Sequence, residues 1–140
     1  MPEYDNDNIF AKILAGEIPS VKIFENQNCL AIMDAFPQSK GHALIIPKAP
    51  SRNLFDADPD QLALVIKDVQ ILAKASNAAF NADGIRIAQY NEAPAGQSVF
   101  HLHFHIIPAY EGVKMGAHAT EMADMEDLNA QAAQIRAQLT

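Results

Sequence analysis

The chain has 140 residues, 49% of them hydrophobic and 19% charged, and a formal net charge of −7. That length and balance describe a single globular domain over residues 1–140 with a substantial core, and exclude a disordered or fibrous chain. The acidic balance, with ten basic residues scattered from Lys12 to Arg136, excludes a nucleic-acid partner, whose phosphates need clustered Lys and Arg.

The opening stretch, residues 1–8, is acidic and polar, the opposite of a signal peptide's basic, apolar start. No apolar stretch is long enough to span a bilayer, so a cytoplasmic protein with no membrane partner is expected. Residues 9–15 have helical spacing, with Asp7 or Asn8 able to cap them and Gly16 able to end them. Ile18-Pro19 then turns the chain. Residues 21–25 and 29–34 read as two strands around the polar turn Asn26-Gln27-Asn28. The single cysteine, Cys29, lies in the second of these apolar runs and reads as a buried thiol in a reducing compartment. Residues 36–41 form a loop, 42–46 a third, buried strand, and 47–57 an irregular stretch.

Asp58-Pro59-Asp60 opens the longest helix with a capping side chain, a proline at the first helical position and acid in the first turn. Leu62, Val65, Ile66, Val69, Leu72, Ala73, Ser76 and Phe80 follow as its apolar face. Ala82-Asp83-Gly84 breaks the helix. Residues 85–91 then read as a fourth strand, 92–97 as a loop and 98–107 as a fifth strand. Residues 109–120 have no pattern, and 124–139 read as a terminal helix with Leu128, Ala132, Ile135 and Leu139 as its stripe. The class is α+β, with helices against an antiparallel sheet.

Three of the five histidines fall in the fifth strand, in the run Phe100-His101-Leu102-His103-Phe104-His105-Ile106. Apolar residues hold one parity and imidazoles the other, which predicts one apolar face and one histidine face. Three adjacent imidazoles pack poorly, because each brings polar nitrogens that need partners. Three uses compete. The rings could hold a metal, although no carboxylate lies in the strand and the only thiol is elsewhere. One ring could be a nucleophile, because a pKa near 6.5 leaves imidazole largely neutral at pH 7 and its neighbours can fix the tautomer. Or the rings could only bind a ligand. The preceding Gly96-Gln97-Ser98 supplies backbone N–H, amide and hydroxyl donors suited to phosphate oxygens, which favours phosphoryl chemistry.

His101-Leu102-His103-Phe104-His105-Ile106-Ile107 resembles the His-x-His-x-His-x-x motif of the histidine-triad (HIT) nucleotide hydrolases and transferases. Ile9 to Ile13, Gly16 to Pro19, Ala31 to Asp34, Pro37-Gln38, Gly41-His42, Ile46 to Lys48, Asn91-Glu92 and Gly96 to Ser98 resemble the Hint branch in the same order, and residues 122–139 resemble bacterial members. The resemblance implies a core over about residues 8–110 with a C-terminal extension over 111–140. It implies a five-stranded antiparallel sheet, one long helix and short N- and C-terminal helices, and a homodimer with a continuous ten-stranded sheet. It implies purine nucleoside phosphoramidase or nucleotidyl hydrolase activity, with no cofactor and no metal.

By position, the resemblance makes His103 the nucleophile at the α-phosphorus, oriented by His42 and His101. His105, Gly96, Gln97 and Ser98 would face the phosphate and leaving group, with Asn91 supporting the same pocket. Asp34 would accept hydrogen bonds from the ribose, and Phe10, Ile13, Ile18 and Ile32 would wall the base. Read alone, Asp34 is a turn former, His42 a structural histidine and Phe10, Ile13 and Ile32 core residues. His118 matches no role and reads as surface. Relatives with a structural zinc hold it by a Cys-x-x-Cys and a later histidine; Asn8, Ala11 and Pro50 stand at those places here, so that metal is expected to be absent. Met33 stands where close relatives often place a histidine. The alternatives are a dinucleoside polyphosphate hydrolase, a non-catalytic nucleotide-binding regulator and a zinc enzyme.

Overall fold

The computed structural model describes residues 1–117 and 121–139. In chain order the elements are α1 (Ile9–Leu14), β1 (Lys22–Glu25), β2 (Cys29–Met33), β3 (Ala43–Pro47), α2 (Pro59–Phe80), β4 (Gly84–Ala88), β5 (Phe104–Ala109) and α3 (Met125–Arg136). The strands form one antiparallel sheet in the order β1-β2-β3-β5-β4. The expected five-stranded α+β architecture is the observed one. His118 lies outside the described residues.

Local sequence explains the helix ends. Asn8 caps α1 by accepting the Ala11 N–H, Asp58 caps α2 ahead of Pro59, and Asp124 caps α3. Asn81 ends α2 in the left-handed region, with φ of 49°. The sheet separates two apolar layers. On one face Ala31, Ile45 and Ile106 pack with Val65, Val69 and Leu72 of α2 and with Leu128, Ala132 and Ile135 of α3. On the other, Leu30, Ile32, Leu44 and Ile46 pack with Phe10, Ile13 and Leu14 of α1. Each fully buried Leu or Ile in these layers contributes about 1.5–3 kcal/mol.

Three expectations need correction. The inner face of α2 carries Asp68 and Ala75, while Ile66 is 55% exposed. Asp68 tolerates burial because it accepts a 3.0 Å hydrogen bond from the Asn26 amide. The fourth strand stops at Ala88 instead of Asn91, where Asn91 turns away to accept the Leu54 N–H.

The third correction concerns the histidines. The fifth strand begins at Phe104, so of the triad only His105 lies in it. Its pairing with β3 covers Ala43↔Ile106, Leu44↔His105 and Ile45↔Phe104, and no further residues upstream. Before Phe104 the chain leaves the ladder because the Leu102 N–H donates to the Ser51 carbonyl. His101, Leu102 and His103 are all buried.

Candidate active site

Four buried histidines gather where β3 and β5 meet the loops at 47–51 and 96–103. Their proton positions follow from what each nitrogen touches, since a carbonyl only accepts and a backbone N–H only donates. His42, fully buried next to β3, accepts the Gln38 N–H at Nδ1, 3.0 Å away, so its proton sits on Nε2. That Nε2–H points to His105 Nδ1 at 2.9 Å and Asp34 Oδ2 at 3.3 Å. His105 therefore accepts at Nδ1 and carries its own proton on Nε2. His103 Nδ1–H donates to the His101 carbonyl at 2.6 Å, so in the neutral ring the lone pair lies on Nε2. His101 Nε2–H donates to the Pro47 carbonyl at 2.7 Å, and its Nδ1 receives the Tyr4 hydroxyl at 2.5 Å.

Asp34, His42 and His105 each bring one potential ligand atom within 4.8 Å of the others, a spacing that a metal ion could use. The proton positions argue otherwise. A metal-bound imidazole normally donates from its second nitrogen, whereas His42 accepts at Nδ1 and needs its proton on Nε2. The cluster works as a hydrogen-bond chain from the Gln38 amide through His42 to His105.

A cavity of about 430 Å³ opens in front of these groups, within the size range of small-molecule sites. His103, His105, Asp34 and Ser98 line it, as do Phe10, Ile13, Ile18 and Ile32, the expected apolar wall. The Phe10 ring meets the His103 ring edge-on, with centroids 4.7 Å apart. Asp34 does two things: Oδ1 accepts the Phe36 N–H at 2.8 Å, the expected turn, while Oδ2 faces the histidines.

Other expected site residues stand elsewhere. Gln97 is buried, and its amide is spent on the protein: Nε2 donates to the Arg52 and Val99 carbonyls, and Oε1 accepts from the Glu92 N–H and Asn53. Asn91 holds the Leu54 N–H and Gln89. Gly96, at φ of 110°, lies against Tyr90. These three do not line the cavity; they brace the loop that leads to Ser98. His42 and His101 were expected to orient the His103 ring. His101 holds His103 Nδ1 through its backbone carbonyl, and the His42 ring meets His105 and Asp34.

Sequence reasoning missed several participants. Met122 and Met125 of the C-terminal extension line the cavity, as does Leu128, which the sequence placed only on the apolar stripe of the terminal helix. Hydrogen bonds between Gly116 and Gln38, and from the Ala123 N–H to the Ala35 carbonyl, bind that extension to the loop after Asp34. Arg52 forms a two-pronged ion pair with Glu92, at 2.7 and 2.9 Å, and lies 4.1 Å over the Phe100 ring. Glu92 needs such anchoring because its φ of 74° and ψ of 157° fall where glycine is the usual occupant. The Arg52 guanidinium also holds the Glu92 carboxyl below the usual carboxylate range.

Burial lowers the His101 pKa, against the opposing effect of the Pro47 carbonyl bond. Above about pH 7 the ring is neutral in folded and unfolded chains alike. Below its ordinary value of about 6.5, the unfolded chain takes a proton that the buried ring refuses, so stability falls with pH until the folded ring titrates. Thermal melts between about pH 7.5 and 5.5 check this: wild type loses midpoint temperature across the window, and His101→Asn loses less.

The family model for the HIT domain matches residues 15–112. This chain belongs to the HIT family. It is 41% identical over 106 residues to Adenylylsulfatase HINT3 of Arabidopsis thaliana, a match covering 76% of this chain and 54% of that protein, so the HIT protein aligns with about half of that relative's length. It is 40% identical to Protein hit of Bacillus subtilis over 73% of this chain and 70% of the relative. The crystal structure of a Hit-like protein involved in cell-cycle regulation from Bartonella henselae, with an unknown ligand, superposes with a TM-score of 0.92. That match is 51% identical and covers 98% of this chain and 100% of the other.

Proposed function

We propose that this HIT protein is a purine nucleoside phosphoramidase or nucleotidyl hydrolase that works through a covalent intermediate on His103. One observation carries the reading: the His101 carbonyl accepts a hydrogen bond from His103 Nδ1–H, so in the neutral ring the lone pair a nucleophile needs lies on Nε2. His103 Nε2 attacks the α-phosphorus and forms the P–N bond of a nucleotidyl-histidine. The bond to the leaving group breaks and the departing atom keeps the electron pair; an amine leaving group takes a proton from solvent, and a sulfate departs as the anion. Water then attacks the same phosphorus, giving the nucleoside monophosphate and free His103. His105 Nε2–H is a donor for a phosphate oxygen, and Ser98, which lines the same cavity, is assigned to the leaving-group side. Asp34 Oδ2 accepts from the ribose hydroxyls, and Phe10, Ile13, Ile18 and Ile32 enclose the base.

The Arabidopsis relative's name favours a second substrate, adenylylsulfate. It presents the same α-phosphorus with sulfate as leaving group, so the first step is shared. The protein is further proposed to act in the cytoplasm as a homodimer, with no nucleic-acid partner. Cys29 is buried, as suits a reducing compartment, and no helix among the described residues is long and apolar enough to cross a membrane. The dimer reading rests on β4, an edge strand of the sheet whose Ile87 is 44% exposed, and on exposed Ile66 and Ile71 of α2.

The test is AMP release from adenosine 5′-phosphoramidate and from adenylylsulfate, with and without EDTA, on protein whose mass is determined in solution. Turnover unaffected by EDTA, from a species of twice the chain mass, is expected. Tight AMP binding without turnover of either substrate would make the protein a binding or regulatory module, and a monomer would remove the dimer reading.

A further inference from the structure

The segment before α1 reaches the rear of the triad. Tyr4 precedes the helix by five residues, and its hydroxyl lies 2.5 Å from His101 Nδ1. Its ring meets the His101 ring in a T, with centroids 5.6 Å apart. This approach is fixed by a tight turn. The Asp5 carbonyl accepts from the Asn8 N–H and side-chain amide, Asp5 Oδ1 accepts from the Asp7 N–H, and Asn8 itself caps α1. One short polar run therefore places both Tyr4 against His101 and Phe10 against His103.

His101 needs such a partner. With Nε2–H committed to the Pro47 carbonyl, Nδ1 is a buried acceptor, and Tyr4 supplies its donor. The same residue's carbonyl holds His103 Nδ1–H. We infer that Tyr4 is a positioning residue for the nucleophile: its hydroxyl, bonded to His101 Nδ1, fixes the ring and with it the backbone carbonyl that orients His103. The inference rests on the reading of His103 as the nucleophile.

Tyr4→Phe is the test, since it keeps the ring contact and removes only the hydroxyl. Two readouts are taken: steady-state kinetics with adenosine 5′-phosphoramidate, and the nitrogen-15 signals of the His101 ring. The expected result is a kcat about threefold to tenfold lower with KM unchanged, the scale of one neutral hydrogen bond. It is accompanied by a shift of the His101 Nδ1 signal towards a nitrogen without a hydrogen-bond donor. A variant with wild-type kcat and an unmoved His101 signal overturns the inference, even if its melting temperature drops. If wild type turns over neither proposed substrate, the functional reading falls. The Nδ1 signal then decides separately whether Tyr4 sets the state of His101, and an unmoved signal refutes that as well.

Discussion

His103→Ala will lose between about 10⁴- and 10⁶-fold in turnover of adenosine 5′-phosphoramidate, the range seen when a covalent nucleophile is deleted. AMP affinity will stay within about threefold of wild type, because substrate binding is distributed over other groups. Those groups are Asp34 Oδ2, the apolar wall of Phe10, Ile13, Ile18 and Ile32, and the His105 donor, all facing the same cavity. Rapid-quench AMP release and calorimetric titration with AMP measure the two halves. A variant retaining a tenth of the wild-type rate would place the attacking atom elsewhere. Loss of AMP binding along with turnover would mean that the substitution collapsed the pocket, since the Phe10 ring leans on the imidazole it removes.

Gly41→Ala will destabilise the fold by about 2–4 kcal/mol, from two separate causes. Gly41 has a φ of 91°, which an alanine adopts only under strain. An added Cβ would also lie 2.6 Å from two ring carbons of Phe80, at the end of α2, and 3.1 Å from the Pro108 ring. The loop has little room to retreat, because the Gly41 N–H donates to Gln131 of α3 and Gln38 is tied to Gly116. Next in the chain is His42, so the shift reaches the Gln38–His42–His105 chain, and turnover falls with stability. Chemical denaturation of Gly41→Ala and of Gly41→Ala combined with Phe80→Leu separates the causes: the second change recovers the part due to the clash and leaves the part due to φ. A single variant within about 0.5 kcal/mol of wild type would show that the loop relaxes freely.

Much of this was legible in the chain itself. The capping residues and apolar periods of α2 and α3 depend on neighbours within a few positions, and the parity of residues 100–106 singled out the triad before any geometry was known. What escaped depends on partners distant in sequence. The early end of the ladder before Phe104 comes from Ser51, the burial of Asp68 from Asn26, and the anchoring of Glu92 from Arg52. Gln97 looked like a phosphate ligand because its neighbours are donors; only the positions of Arg52 and Asn53 show that its amide is already engaged. Met122 and Met125 carry no pattern, and the folded path of the extension brings them to the cavity.

Three of the hydrogen bonds that place protons on this histidine cluster end on main-chain atoms: the Gln38 amide, the Pro47 carbonyl and the His101 carbonyl. A side-chain substitution at Gln38 or Pro47 leaves the peptide group in place, whereas at His101 it also removes the ring that Tyr4 holds. The protonation pattern is therefore sheltered from most single mutations, and the chain is at liberty to vary the cavity walls, and with them the molecules it accepts, while the reactive nitrogen keeps its lone pair.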